Sequence, residues 1–436
     1  MKTRLIFILF LFVGSSCKND FLDVRPSKSL LVPSTLTDIQ ALLDNIPVMN
    51  NVTALNMLAA DEFAITDTGL DRATANVRTA YLWLGDNYQG SAISDWNQQY
   101  EQVFYSNVVL EALEKVNVTT GAPLKGAALF YRAMAMFNLS QLFAKPYSSS
   151  NLDALGLPYP KSADINLRPK RGTLKVLYEN ILADLLTAEQ LLPTTPATKN
   201  RPCKQACYAL LARIYLIMMD YANAERFADQ SLKANQKLLD FNTAVAGFFP
   251  FGEVLPNGVD EVIFYQRKYA YSVFNFGVTS IDPTLVNLFD VNDLRRNVLF
   301  YSGGGNIVYF AGYEGLTTSE CYLIKAECLA RADKIDEAML LLKQLLTKRF
   351  KTGSTISLTA QNKQEALAQI INERRKELFG RGTRWSDLRR LNQDPAFAVT
   401  LTRVSKNVSY TLSPNSDKYV FKIPDQEIAG NYIEQN

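Results

Sequence analysis

Apolar positions recur at helical spacing along most of this 436-residue chain. Ile39, Leu42, Leu43 and Ile46 fall on one face of a first short helix, which Thr37 and Asp38 are expected to open. After Leu58 the helical period stops, so residues 50–94 read as a long and chemically varied insertion. Asp95 is placed to cap the next helix, where Tyr100, Val103, Phe104, Asn107, Val108 and Leu110 supply the 3.6-residue stripe.

The pattern then repeats. Sliding the chain on itself by 114 residues lays Cys207, Tyr208, Leu210, Ala212, Ala224 and Leu232 on Cys321, Tyr322, Ile324, Ala326, Ala338 and Leu346. A shift of 79 lays Ala128, Tyr131 and Ala133 on Cys207, Leu210 and Ala212. In both later copies a helix with small residues ends in a tight break, Asp220-Tyr221-Ala222 or Ala332-Asp333-Lys334, and a second helix follows. Small residues let paired helices approach closely while larger ones fill the space between pairs, which is the tetratricopeptide arrangement. The first copy is split: its first helix covers about 124–144, its partner about 173–192, and a Pro-rich excursion lies between.

The expected fold is therefore mainly α, an α-solenoid scaffold of tetratricopeptide-like pairs within about 95–235 and 319–350. Long irregular insertions containing short strands, about 50–94 and 239–318, interrupt it. The second insertion has a β-like run from Glu261 to Arg267 and turn signals at Pro256-Asn257-Gly258 and Gly303-Gly304-Gly305. Beyond the third copy, Gln364 to Leu391 reads as one helix, and Thr400 to Asn436 as irregular and strand-like in places.

The N-terminal segment sets the location. Lys2 and Arg4 precede the apolar run Leu5–Val13, which is too short to span a bilayer, and Gly14, Ser15 and Ser16 lead into Cys17. This is the order of a lipoprotein leader: residues 1–16 form the signal peptide, Cys17 takes the lipid, and a polar tether covers 17–36. Residues 37–436 then form one exported domain whose only membrane anchor is the lipid on Cys17.

Composition narrows the chemistry. The net charge of +3 gives no general argument for nucleic acid, and the absence of histidine excludes imidazole-based catalysis and His-ligated zinc. Cys203, Cys207, Cys321 and Cys328 lie in helical patterns and read as small buried apolar residues, with no metal site expected. Gly303-Gly304-Gly305-Asn306 is a turn, not a phosphate cradle, because no GK[ST] follows. Between Glu373 and Arg390, seven basic residues are interleaved with Glu373, Glu377 and Asp387 at helical spacing, which predicts local ion pairs around Trp385. Asp61, Glu62 and Asp67 read as solvated loop acids; a catalytic carboxylate pair or a hard-cation site is the competing reading.

Both insertions are rich in aromatics. Trp and Tyr faces stack on sugar rings while Asn, Asp and Arg bind hydroxyls, so such loops suit a carbohydrate site. Trp83 is the only tryptophan in either insertion, with Tyr81, Asn87 and Tyr88 close by; Tyr269, Tyr271, Tyr309 and Tyr313 stand in the second. The expectation is a shallow exposed platform in which Trp83 stacks on a sugar and Asn87 orients it.

Several motifs in fixed order resemble the SusD/RagB family of outer-membrane nutrient-binding lipoproteins. They are Cys17 with Asp20-Phe21-Leu22-Asp23, Trp96 with Tyr100 and Asn107, Arg132-Ala133, and Gly156-Leu157-Pro158-Tyr159-Pro160. Ala326-Glu327, Glu373-Arg374-Arg375-Lys376-Glu377-Leu378, Arg384-Trp385 with Asp387-Leu388-Arg389-Arg390, and the terminal Ile423-Pro424, Glu427, Asn431 and Gln435-Asn436 complete the set. The resemblance implies a glycan-binding protein of the outer membrane, facing the cell exterior, that serves a SusC-like TonB-dependent transporter. It implies neither an enzyme nor a cofactor. A surface carbohydrate-active enzyme and a tetratricopeptide adaptor with a peptide ligand are the competing classes.

Overall fold

The first helix, α1 (Leu36–Leu43), opens at Thr35 rather than Thr37. The Thr35 hydroxyl accepts from the Asp38 N–H, and the Asp38 carboxylate accepts from the Thr35 N–H, forming a capping box. The computed structural model describes residues 33–85, 94–116, 121–244, 255–268, 271, 273, 278–303, 306–309 and 314–436.

The first insertion is more ordered than its sequence pattern suggests. It carries α2 (Ile46–Met49), β1 (Asn51–Val52), α3 (Leu55–Ala59), β2 (Phe63–Ile65), α4 (Asp67–Arg72) and α5 (Ala75–Leu82). These elements are too short to show a helical or strand period in sequence.

Two long helices follow, α6 (Ser94–Lys115) and α7 (Ala122–Phe143). From Gly126 to Phe143 every residue of α7 is buried, so this helix runs through the middle of the molecule. The excursion after it holds the antiparallel pair β3 (Leu155–Pro158) and β4 (Arg171–Thr173), and α8 (Leu174–Leu191) returns to pack on α7. The second pair is α9 (Lys204–Ile217) and α10 (Tyr221–Ala234).

The second insertion contains β5 (Val262–Lys268), β6 (Thr279–Ile281), α11 (Pro283–Val286), α12 (Arg295–Val298), β7 (Phe300–Gly303), β8 (Asn306–Tyr309) and β9 (Glu314–Thr317). β7 and β8 pair antiparallel, with Gly303 opposite Asn306, and Gly304 and Gly305 of the turn read there lie outside the described residues. β5 lies between β1, which it pairs in parallel, and β9, which it pairs antiparallel. The crossing is tight at Gly315, where φ is +137° and a Cβ would stand 2.2 Å from the Phe264 carbonyl oxygen.

The third pair, α13 (Thr318–Arg331) and α14 (Ile335–Leu346), packs on α10. The two breaks match: Met219 (φ 60°) and Asp333 (φ 65°) are both left-handed and sit at equivalent repeat positions. Ala212 and Ala326 are fully buried, and all four described cysteines are buried free thiols. The scaffold is thus mainly helical and tetratricopeptide-like, as the periodicity predicts.

The predicted helix over 364–391 is two helices, α15 (Lys363–Glu377) and α16 (Arg384–Leu391). Gly380 (φ 72°) and Gly382 (φ 73°) adopt the left-handed conformation between them and turn the chain. The charged residues here also depart from the expected local pairing. Arg374 and Arg390 do meet Asp387, but Arg295 joins Asp293, Glu373 and Glu377, Arg349 joins Glu261 and Glu377, and Arg390 joins Glu327. These pairs are buried and bind α15 and α16 to the third repeat and the second insertion. Burial alone would raise the Glu377 carboxyl, but Arg349 and Arg295 outweigh it and hold it down to about 2. The chain ends in the hairpin β10 (Leu401–Ser405) and β11 (Val408–Leu412), then α17 (Asp425–Asn431). Among the described residues no helix is long and apolar enough to cross a membrane.

Candidate functional site at the junction of the insertions

The two insertions, far apart in sequence, are joined among the described residues by two strand pairings and by a buried acid. β1 lies beside β5, with Asn51 opposite Arg267 and Val52 opposite Lys268. β2 lies antiparallel to β6, and Thr66 N–H donates to the Val278 carbonyl at 2.9 Å. Gly69 makes this contact possible, because a Cβ there would stand 2.9 Å from Val278 Cβ.

The third join is Asp95. It lies inside the first turn of α6, one residue past Ser94. One carboxylate oxygen accepts from the N–H groups of Ala54 and Leu55 at the start of α3, and the other accepts from the Tyr271 hydroxyl at 2.5 Å. Burial raises the Asp95 carboxyl above its ordinary value, against hydrogen bonds from Tyr271, Leu55, Ala54 and its own N–H that favour its ionised form. One acid therefore holds α6, the first insertion and the second insertion together.

The sequence candidates fall into two groups. Tyr81, Trp83 and Tyr271 are buried, at 5%, 3% and 7% exposure, and form the floor of the junction. The Tyr81 hydroxyl accepts from Ile65 N–H at 2.9 Å, and the Trp83 indole N–H donates to the Ala59 carbonyl at 3.0 Å. Trp83 ends α5 in the left-handed conformation (φ 54°, ψ 44°), uncommon for a bulky residue. The exposed stacking platform expected at Trp83 is therefore not what the structure forms: the indole is core, and its faces are taken by protein.

Asn87, Tyr88, Tyr269 and Tyr313 lie outside the described residues. Tyr309 closes β8 opposite Phe300. Beyond Trp83, Leu84 is exposed, and among the described residues a Cβ added at Gly85 (φ 80°) would meet nothing within 4 Å.

Sequence reasoning missed Arg403, on β10. Its guanidinium lies 3.8 Å from the Tyr81 ring centroid and 4.4 Å from that of Trp83. Its N–H groups donate to the carbonyls of Leu58, Ala60 and Tyr81. Burial pulls this guanidinium down to about 10. Nothing local to residue 403 signals the contact.

The acids of the first insertion are also placed. Asp61 is ion-paired with Arg384 and Arg375, which outweigh its burial and hold its carboxyl well below the usual range. Glu62 is fully buried, accepts from Gly380 N–H at 3.2 Å, and is pushed up to about 8 by burial. Asp67 accepts from Ser405 and Lys406 in the terminal hairpin. The reading of Asp61 and Glu62 as solvated loop acids is corrected: one is bound to two arginines and the other is enclosed. Among the described residues no cluster of metal-ligating side chains occurs.

Comparison with known proteins agrees with this architecture. A family model described as starch-binding associating with outer membrane (SusD-like) matches residues 20–216, and the SusD family model matches residues 318–435. A curated relative, SusD-like protein P2 from Formosa agariphila, is 25% identical over 237 residues, 51% of this chain and 44% of its own length. The matched region thus spans less than half of that relative.

Solved structures resemble nearly the whole chain. A SusD superfamily protein from Bacteroides thetaiotaomicron superposes with a TM-score of 0.75 at 21% identity, covering 92% of this chain and 99% of its own. A SusD-like carbohydrate binding protein from Bacteroides vulgatus gives 0.71 at 18% identity, covering 92% and 97%. These likenesses establish the fold. The two family models, one at each end and together matching well over half of its length, identify this chain as a member of the SusD/RagB family.

Proposed function

We propose that this protein is a cell-surface lipoprotein, anchored in the outer membrane through Cys17, which binds a nutrient glycan and passes it to a SusC-like TonB-dependent transporter. The observation that carries the reading is the junction itself. Asp95, the β1–β5 pairing and the β2–β6 pairing bring the two aromatic-rich insertions of a SusD/RagB scaffold to one place.

In this reading Tyr81, Trp83 and Tyr271 are the rigid support. Asn87, Tyr88, Tyr269, Tyr309 and Tyr313 are the residues we assign to the glycan, by stacking and by hydrogen bonds to hydroxyl groups. Residues 1–16 are the leader, 17–36 the tether and 37–436 one domain whose helix pairs face the transporter. The pairing of Asp61 and the enclosure of Glu62 favour binding over hydrolysis, because neither carboxyl is placed to meet a substrate.

Glycan-array binding run beside a hydrolysis assay on the same sugars tests the function: retention without cleavage is expected, and cleavage would assign an enzyme instead. Membrane fractionation of Cys17→Ala tests the anchor. Stable membrane association of that variant in cells lacking the transporter would contradict it.

A further inference from the structure

A cleft of about 840 Å³ opens on the scaffold between the segment that follows α10, the turn leading into β5, and helices α13 and α14. It shares no lining residue with the junction: the cleft lies at the Glu261 end of β5, and β1 meets β5 at the Lys268 end, about 20 Å away along the strand. Its size falls within the range of small-molecule sites.

The lining divides by chemistry. Leu238, Leu239 and Val259 supply an apolar part. The side-chain amides of Gln236 and Gln344 also line it, and among the described residues they carry no protein hydrogen bond. Each offers two donors and an acceptor.

The charges decide the class of ligand. Lys237 pairs with Asp260 at 2.7 Å and Lys348 with Asp240 at 2.9 Å. The buried Glu261 carboxylate accepts from Arg349 and from the Leu239 N–H. Every charge at the cleft thus sits beside its opposite, which favours a neutral ligand over an ion. The walls present an apolar patch ringed by free amides and by lysine and carboxylate groups with hydrogen-bonding capacity to spare. A neutral ring with an apolar face and several hydroxyls matches that pattern.

We propose that this cleft is a second binding site, for a short neutral oligosaccharide, distinct from the junction of the insertions. The proposal rests on the reading of the protein as a glycan binder. The two sites together would hold one extended chain at two points or two chains at once.

Calorimetric titration of the full chain with a neutral oligosaccharide retained on the array tests this. Two ligands per chain are expected for the wild type. Gln344→Trp, on the exposed face of α14, fills the mouth of the cleft; it should reduce the stoichiometry to one and leave the melting temperature unchanged. Lys348→Ala should weaken the same site about tenfold. The Asn87→Ala/Tyr88→Ala variant should remove the other site and spare this one. One ligand per chain in the wild type, with an isotherm unaltered by Gln344→Trp, overturns the cleft proposal alone. Binding of neutral peptides in place of sugars at the cleft overturns its assigned ligand. A wild type that binds no sugar contradicts the glycan-binding function itself.

Discussion

Arg403 stacks its guanidinium on the ring of Trp83, with 4.4 Å between its central carbon and the ring centroid. The contact explains why a left-handed tryptophan can end α5 in the core. The indole gains a cation on its face and a carbonyl for its N–H, and the cation satisfies three main-chain carbonyls of the first insertion. The terminal hairpin therefore braces the end of α5.

Arg403→Met should expose the dependence. Buried carbonyls left without a donor cost about 1–3 kcal/mol each, offset in part by removing a buried charge. A lowered denaturation midpoint is expected, with only partial recovery in Arg403→Lys, since an ammonium cannot span the same three acceptors from between two rings. An unchanged midpoint in Arg403→Met would show that the contact does not hold the floor.

Trp83→Ala separates core from platform. Deleting a buried tryptophan costs about 3–5 kcal/mol, so a large drop in melting temperature should accompany any loss of affinity. Lost affinity with a normal melt would return Trp83 to the ligand surface.

How much of this was legible in sequence depends on range. Repeat register was: Ala212 and Ala326 are fully buried, and the breaks at Met219 and Asp333 share one backbone conformation. Periodicity and small residues are local signals. The floor of the site was not, because 322 residues separate Arg403 from Tyr81, and composition around Trp83 is the same whether its faces meet a sugar or a guanidinium. Asp95 was read as a cap and is one, but for α3, since the residue type reveals the chemistry and only the fold reveals the recipient. The turn at Gly380 and Gly382 was overlooked because the charged residues on both sides keep helical spacing.

Enlarging Ala212 or Ala326 to Leu should overpack the helix crossings and cost about 1–3 kcal/mol. Chemical denaturation of both variants checks this, and wild-type midpoints in both would remove the proposed crossing positions.

Glu62 gives a pH signature. Its carboxyl is pushed from an ordinary 4.5 to about 8 by burial, beside Asp61, Arg375, Arg384 and the Gly380 N–H. The folded state therefore holds a proton that the unfolded state releases, and this contribution to stability, complete below 4.5, is lost as pH rises toward 8. Glu62→Gln cannot lose it. The melting temperature of Glu62→Gln relative to wild type should climb between pH 5 and pH 8, and a difference that stays flat would show that Glu62 titrates normally.

The most direct test of glycan capture at the junction is calorimetric titration with a glycan retained on the array, comparing Asn87→Ala/Tyr88→Ala with the otherwise unchanged protein, both carrying Gln344→Trp to close the cleft. Removing a stacking face and a hydroxyl-binding amide should weaken binding at least about thirtyfold, equivalent to about 2 kcal/mol, with the melting temperature unchanged. Unchanged affinity would contradict the assignment of the glycan to this junction.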